Sequence, residues 1–118
     1  MRNQFRSVLS HNTVFWDGLE PRSLNDGLFK LKETSSANIE SITGDDFGLN
    51  FRGRYNYNQR HHIRLLSLKS KDRKIYLVDK VSHKGAILRF NFSPDNIVEI
   101  IPDGFKVHNV SFNFSFNN

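Results

Sequence analysis

Apolar and polar residues alternate along much of this chain of 118 residues. The period is two in residues 28–32 and again in residues 37–43, and the apolar side chains of residues 47–51 share one face. Alternation of this kind is typical of half-buried β-strands. Because no helical period exceeds one turn and no segment is repeated, we expect strands to form the fold.

Turn-forming residues separate the strand patterns, and aspartate beside glycine or proline marks most of them. The turn signals are Asp17-Gly18, Asp26-Gly27, the basic run KSKDRK at residues 69–74, Ser93-Pro94-Asp95 and Pro102-Asp103-Gly104. The other strand segments are residues 13–16, 60–68, 74–79, 86–92, 97–101, 105–110 and 111–116. Strands spaced roughly 8–12 residues apart indicate an all-β sandwich or barrel, and we predict an antiparallel β-sandwich of about 8–10 short strands.

Three segments carry more specific structural predictions. Residues 13–16 (TVFW) are β-branched or aromatic, which favours a pleated, half-buried strand. Gly53 interrupts the pattern of residues 47–57, and a glycine inside a strand often marks a bulge or a close approach of the backbone. Near the C-terminus, Phe112, Phe114 and Phe116 are expected to point to the same side of their strand.

The composition is that of a single globular domain spanning residues 1–118. Its 11 phenylalanines supply large apolar areas for a core. Cysteine is absent, which excludes disulfides, thiolate metal sites and cysteine nucleophiles. No run of about 18 apolar residues occurs, so we expect no membrane span. The N-terminus also lacks the apolar core of a signal peptide.

The charge of the chain favours polyanionic partners. The formal net charge is +5 and the sequence pI is near 9.7, a balance that suits nucleic acid, acidic polysaccharide or an anionic membrane surface. The positive residues are spread along the chain, however. The densest run, residues 69–74, is interpreted as a solvated hairpin turn.

Tyrosines and arginines are interleaved in residues 52–60. Tyr55 and Tyr57 among these arginines could stack on sugar rings or bases while the guanidinium groups neutralise carboxylates or phosphates. The same side chains could equally cover apolar surface with their stems. Because no GxSxG motif and no glycine-rich phosphate loop is present, these residues alone do not form a complete catalytic set.

The five histidines do not form a local metal motif, because no HExxH pair is present. A metal site would have to be assembled from distant strands, with His11, one of His61 and His62, and Asp26 or Asp17 as ligands. Two imidazoles and a carboxylate with an open fourth position suit zinc. The alternative is that these histidines are solvated or bonded to the backbone.

Residues 6–18 (RSVLSHNTVFWDG) resemble the motif that opens the C-terminal β-domain of heparinase II/III-like polysaccharide lyases. The shared features are an arginine-serine pair, then HNT, an apolar strand and an aspartate-glycine turn. Residues 52–68 (RGRYNYNQRHHIRLLSL) are similar to the family's glycine-tyrosine segment and its histidine-x-arginine strand. Residues 74–95 (KIYLVDKVSHKGAILRFNFSPD) are similar to the next hairpin, in which a strand ends in aspartate. The three segments occur in the family's order.

The resemblance implies a two-part enzyme that cleaves uronate-containing acidic polysaccharide by β-elimination. In the family, an N-terminal α/α toroid supplies asparagine, histidine and tyrosine catalysts, and the β-sandwich closes the cleft. A base removes the proton next to the uronate carboxylate, and an acid protonates the leaving oxygen. We therefore expect this chain to be the C-terminal domain of a larger bacterial protein, to be inactive without the missing toroid, and to be periplasmic or envelope-associated if that protein is secreted.

Site residues also follow from the resemblance. Tyr55 matches the family's tyrosine and is the catalytic residue expected on this chain. The implied metal ligands, for zinc or another divalent cation, are His11, His62 and Asp26, and His61 is a one-residue alternative to His62. The implied substrate-binding residues are Arg6, Asn12, Arg54 and Arg64.

Two functions from other classes compete with the lyase hypothesis. The first is a non-catalytic carbohydrate-binding or polysaccharide-assembly module, because similar domains occur in proteins associated with surface-polysaccharide production. The second is a single-stranded nucleic-acid binder, suggested by the net charge and the aromatic residues. We rank the nucleic-acid hypothesis last.

Overall fold

The computed structural model describes residues 7–20 and 35–115. Within these ranges the chain forms nine β-strands and one 3-10 turn at Val8–Ser10, with no α-helix. The strands are β1 (Val14–Trp16), β2 (Ser35–Asp45), β3 (Gly48–Tyr57), β4 (Arg60–Lys69), β5 (Lys74–Val81), β6 (Ala86–Leu88), β7 (Val98–Ile101), β8 (Gly104–Val107) and β9 (Val110–Asn113). In this part of the chain, no helix is long and apolar enough to cross a membrane.

Every strand pair is antiparallel, and the strands form three sheets. A four-stranded meander has the order β2-β3-β4-β5, a three-stranded meander has the order β7-β8-β9, and β1 pairs with β6. The predicted all-β, antiparallel, sandwich-like fold is therefore confirmed. The strand predicted at residues 28–32 and the turn predicted at Asp26-Gly27 lie outside the described residues.

Most strands and turns of the structure lie close to their predicted positions. Lys69 pairs with Lys74 across the basic turn, so this run closes a hairpin as expected. Gly18 adopts a φ of 69° after Asp17, which confirms that turn. The strand predicted at residues 86–92 is shorter than expected and ends at Leu88. Beyond this point Phe90 and Phe92 instead enter a cluster of aromatic rings.

A bulge or a close backbone approach was predicted at Gly53, and the structure has a bulge opposite this residue, in the partner strand β2. The register between β2 and β3 shifts between Ile39 and Ser41, which leaves Glu40 as an extra residue opposite Arg52 and Gly53. A Cβ at Gly53 would lie 2.9 Å from the ring of Phe51. Glycine at this position lets the phenyl ring lie over the backbone, which accounts for the interruption of the strand pattern.

The four-stranded sheet has two chemically different faces, because successive side chains on a strand alternate and paired residues share a face. We call one the tyrosine face; in register order it carries Tyr57, Tyr55 with His62, and Arg64 with Asp79. Its far half is apolar and comprises Ile42, Leu49, Phe51, Leu66, Leu68, Ile75 and Leu77. We call the other the basic face; its cationic residues are Arg52, Arg54, Lys69, Lys74 and Lys80.

Strand β1 lies at the centre of the core. Val14, Phe15 and Trp16 are all buried, so the prediction of a half-buried strand is wrong. The reason is that both sides are covered: the ring of Tyr57 contacts Trp16 with centroids 5.6 Å apart, and the guanidinium of Arg89 lies 5.5 Å from the ring centroid of Phe15. A strand covered on both sides has no solvent-facing side chain.

A half-buried aromatic cluster forms around the three-stranded meander. Five phenylalanine rings contact one another at centroid distances from 4.6 to 6.5 Å. They are Phe90, Phe92, Phe105, Phe112 and Phe114. Phe112 and Phe114 therefore do point to the same side, as predicted, whereas Phe116 lies outside the described residues.

Candidate functional site

A carboxylate on the tyrosine face forms the centre of the candidate site. Asp79 accepts hydrogen bonds from Nε of Arg64 at 2.7 Å and from Nη2 of Arg64 at 3.1 Å. Its Oδ1 also lies 2.6 Å from Nε2 of His62. Because an ionised carboxylate can only accept, His62 donates here. His62 is 5% exposed, so its ring is held in a fixed orientation.

The β4–β5 hairpin creates this arrangement. Arg64 lies directly opposite Asp79 in the register, and His62 lies opposite Val81. His62 and Arg64 are two residues apart on one strand and therefore share a face, with His62 on the diagonal to Asp79. Directly opposed and diagonal partners in an antiparallel pair are close enough for long side chains to meet.

The segment before β1 is bound to the same site. Nη1 of Arg64 donates to the carbonyl of Asn12 at 3.2 Å, and the side-chain oxygen of Asn12 accepts from the backbone N–H of Asn91 at 2.6 Å. The side-chain amide of Asn91 in turn donates to the carbonyl of His11 at 3.1 Å. Residues 11 and 12 are thus held between β4 and the segment that follows β6.

The charge of Asp79 is stabilised within this cluster. Burial by itself raises the pKa of Asp79, but the hydrogen bonds from His62 and Arg64 outweigh it and hold the pKa of this carboxyl below its ordinary value. The carboxylate is therefore ionised at neutral pH. One guanidinium and one carboxylate offset each other, so this part of the site carries little free charge.

Aromatic residues extend the site along the tyrosine face. Tyr55 lies opposite His62 in the register, and its ring contacts the ring of Tyr57 with centroids 5.3 Å apart. Tyr57 is buried, and this burial raises the pKa of its phenol. Within the described ranges, the hydroxyl of Tyr57 has no hydrogen-bond partner. Tyr55 is only partly buried, so it is the more accessible of the two phenols.

The predicted site residues fall into three groups. Asn12, Tyr55, His62 and Arg64 come together on the tyrosine face. Arg54 does not join them, because it lies on the basic face. Two of the predicted residues, Arg6 and Asp26, lie outside the described residues.

The other two histidines considered as metal ligands are His11 and His61. His11 is exposed, and its backbone carbonyl, rather than its ring, is tied to the site. His61 points to the opposite face from His62, since the two are neighbours on one strand. His62 is therefore the histidine of this pair that belongs to the tyrosine face.

The predicted metal ligand set can be compared with this geometry. In the described ranges, no group of three or more His, Cys, Asp or Glu residues is placed to hold a metal ion. His62 nevertheless has the form of a metal ligand: Asp79 holds Nε2 and leaves Nδ1 free to coordinate, as outer-shell carboxylates do for metal-binding histidines. Because Asp26 lies outside these ranges, the complete ligand set stays a prediction.

Two residues of the site were not assigned a role from the sequence. Asp79 was recognised only as the aspartate that ends a strand. A signal for its role was present, because the hairpin register set by the turn at residues 69–74 places residue 79 opposite Arg64. Asn91 gave no comparable signal, since it follows the end of β6 and reaches Asn12 through a long-range contact.

Comparison with known proteins does not assign this arrangement. No protein-family model, no curated protein and no solved structure matches the chain. The function is therefore argued from the residues of the tyrosine face, from the charges of the sheet and from the motifs in the sequence.

Proposed function

We propose that this chain is a β-sandwich domain of a heparinase II/III-like polysaccharide lyase, acting with an α/α toroid on uronate-containing acidic polysaccharide. In this proposal the domain closes the substrate cleft with its tyrosine face. The proposal rests on the sequence resemblance together with one structural observation, the convergence of the three resembling segments on Arg64.

The convergence supports the proposal because Asn12 of the first segment reaches Arg64 of the second from 52 positions away in the sequence. Asn12 comes from the HNT segment, Arg64 from the histidine-x-arginine strand and Asp79 from the strand that ends in aspartate. Asn91, in the last part of the third segment, binds Asn12. Motifs that match only by chance have no reason to meet at one place, whereas parts of one functional site must do so.

The residues have different roles in this proposal. Tyr55 is the catalytic residue of the domain; as the acid, its phenol donates a proton to the leaving glycosidic oxygen, while a group of the toroid is the base that removes the proton next to the uronate carboxylate. Arg64 is a positioning residue, because Asp79 and the carbonyl of Asn12 already occupy its guanidinium. The side-chain N–H₂ of Asn12 is directed to the substrate, since its oxygen is already bound by Asn91.

The proposal includes a divalent cation as a structural or catalytic partner. His62 would offer Nδ1, and His11 and Asp26 would complete the set. A bound zinc supplies Lewis-acid stabilisation of negative charge near the site. The contribution of the chain is to hold the ring of His62 in one orientation through Asp79.

A lyase assay tests this proposal. The chain is joined to a heparinase II/III-like toroid and incubated with alginate, heparin and hyaluronan, with neutral dextran as the control. β-Elimination leaves an unsaturated uronate at each new end, which is followed by its ultraviolet absorbance. We expect product from at least one uronate polymer and none from dextran. Absence of product from every acidic polymer would overturn the lyase assignment.

A second function is favoured by the saturation of the central cluster. His62, Arg64 and Asp79 are all engaged with one another, which would suit a non-catalytic module that binds or helps to assemble acidic polysaccharide. The two functions differ in the assay. A binding module retains alginate or heparin without forming unsaturated ends, with or without the toroid.

A further inference from the structure

The basic face of the four-stranded sheet is a second charged surface, separate from the Asp79 cluster. Its five cationic residues (Arg52, Arg54, Lys69, Lys74 and Lys80) are accompanied by only two carboxylates, Glu40 and Asp45. Its residues are largely exposed or half-buried. The sheet itself lies between this face and the tyrosine face, so the two surfaces cannot contact the same stretch of a ligand.

The β-bulge organises the centre of the basic face. Glu40, the extra residue in β2, accepts hydrogen bonds from Nε of Arg54 at 2.6 Å and from Nε of Arg52. One carboxylate thus holds two guanidinium groups side by side. The hydrogen bonds from Arg54 and Arg52 also lower the pKa of Glu40, so it stays ionised at neutral pH.

We call Glu40 with Arg52 and Arg54 the clamp, and this clamp leaves positive charge available for a ligand. Only Nε of each guanidinium is used by Glu40, and the side chains of Arg52 and Arg54 remain 36% and 34% exposed. Across the described ranges, their Nη groups have no partner. The Nη groups can donate in a planar fork, which is the geometry that carboxylate and sulfate groups accept in a bidentate manner.

Neutral polar groups flank the arginines along the strands. Asn56 donates to Ser36 at 3.1 Å, and Ser67 donates to Asn50 at 2.7 Å. Each of these amides retains further donors or acceptors after its cross-strand bond. They are therefore preoriented on the sheet and are able to bond hydroxyl groups of a ligand.

We propose that the basic face is a binding site for an extended acidic polysaccharide, centred on Arg52 and Arg54 and distinct from the cleft at Tyr55. The class of ligand rests on the proposed function, whereas the location rests on the clamp formed by Glu40. The guanidinium groups bind the carboxylate or sulfate groups of the polymer, and the asparagine and serine side chains bind its hydroxyl groups. The site holds a long polymer while another stretch of it occupies the cleft.

The chemistry of this face favours polysaccharide over single-stranded nucleic acid. Binding of single strands depends on several aromatic rings on which successive bases stack. Among the residues that the structure places on the basic face, Tyr76 is the one aromatic, and Nζ of Lys69 lies 5.4 Å from its ring centroid. The other tyrosines of the sheet, Tyr55 and Tyr57, lie on the opposite face. One ring suits a sugar contact but does not form a stacking platform.

Binding measurements with matched variants test this site. Alginate and heparin are titrated into the full chain by calorimetry at low and high salt, with dextran as the neutral control. The double variant Arg52→Gln/Arg54→Gln is compared with Lys71→Gln/Lys84→Gln, which removes the same charge from the turn after β4 and the loop after β5. We expect Arg52→Gln/Arg54→Gln to weaken binding by about tenfold or more, equivalent to ~1.4 kcal/mol. The substitutions at Lys71 and Lys84 should change the affinity far less.

A charge-preserving variant separates geometry from net charge. Arg52→Lys/Arg54→Lys keeps both charges but loses the planar fork, so we expect a measurable loss of affinity, smaller than that of the glutamine variant. Circular dichroism establishes that each variant is folded. If Arg52→Gln/Arg54→Gln does not fold, Arg52→Lys/Arg54→Lys keeps the test decisive. Equal losses in the face and loop variants, or no loss in either arginine variant, would overturn the proposal. Tighter binding of an oligothymidylate strand through the same arginines would overturn the choice of polysaccharide.

The outcomes also separate this site from the proposed function. If the lyase assay fails while Arg52 and Arg54 remain essential for polysaccharide binding, the basic face is a binding site of a non-catalytic module. If unsaturated product forms and the arginine variants bind and react like the wild type, the lyase assignment stands and the basic face is not a polymer site.

Discussion

Arg64 binds Asp79 through both carboxylate oxygens, at 2.7 and 3.1 Å, from the directly opposed position of the neighbouring strand. The same guanidinium reaches the carbonyl of Asn12, which lies 52 positions earlier in the sequence. This side chain therefore joins the β4–β5 hairpin to the segment that leads into β1. The arrangement makes Asp79 important for both stability and the orientation of the site.

Replacing the carboxylate should destabilise the chain. Asp79→Asn removes the charge that His62 and Arg64 share in a partly buried environment, and loss of one partner of such a pair costs about 3 kcal/mol or more. Urea unfolding followed by circular dichroism measures the change. Asp95→Asn, in an exposed turn, is the control and should change stability by less than about 0.5 kcal/mol. Equal stabilities of the two variants would contradict this role for Asp79.

The lowered pKa of Asp79 predicts the pH dependence of stability. The unfolded chain binds a proton at the ordinary value of about 4, whereas the folded chain binds it only at lower pH. The stabilisation is therefore complete above the ordinary value and is lost as the pH falls from there through the folded-state pKa. Across this acid range, the free energy of unfolding should fall more steeply with decreasing pH for the wild type than for Asp79→Asn. Parallel pH profiles would rule out this contribution.

The contact between Trp16 and Tyr57 predicts opposite results for two core substitutions. Trp16→Ala opens a cavity beside a 5.6 Å ring contact and should cost about 3–5 kcal/mol. Tyr57→Phe removes a buried hydroxyl that has no partner in the described ranges, so stability should stay the same or rise slightly. Thermal unfolding distinguishes the two. A large loss in Tyr57→Phe would mean that its hydroxyl is bonded after all.

Metal content tests the predicted ligand set. We expect protein purified without chelator to contain zinc or another divalent cation, and His11→Ala and His62→Ala to lose it. His83→Ala is the matched control, because the ring of His83 bonds its neighbour Ser82 and belongs to none of the predicted ligands. Elemental analysis provides the readout. Metal retained by both ligand variants, or none in the wild type, would refute the assignment.

The sequence predicted strands and hairpins well because their signals are local. Alternation predicted β2 and the first half of β3, and the turn at residues 69–74 predicted the β4–β5 hairpin, whose register sets Arg64 opposite Asp79. The burial of β1 could not be predicted in the same way. Phe15 and Trp16 are covered by Arg89 and Tyr57, which are distant in the sequence, and a short apolar run looks the same whether one face or both are buried.

The site was predicted only in part for a related reason. The face on which a residue lies follows from strand alternation, and this separates Arg54 from Tyr55. Which of the two alternating sets of side chains forms the site, however, depends on the pairing of β3 with β2 and β4. Asn91 could not be found at all, because its bond to Asn12 depends on where the chain runs after β6.

Product formation by two tyrosine variants tests whether Tyr55 acts in a β-eliminating cleft, as we propose. With the chain joined to a heparinase II/III-like toroid and a uronate polymer as substrate, the ultraviolet absorbance of new unsaturated ends gives the rate. We expect Tyr55→Phe to lower this rate by about 100-fold or more with polymer binding retained, and Tyr57→Phe to stay close to the wild type. Equal rates for Tyr55→Phe and the wild type would contradict this proposal.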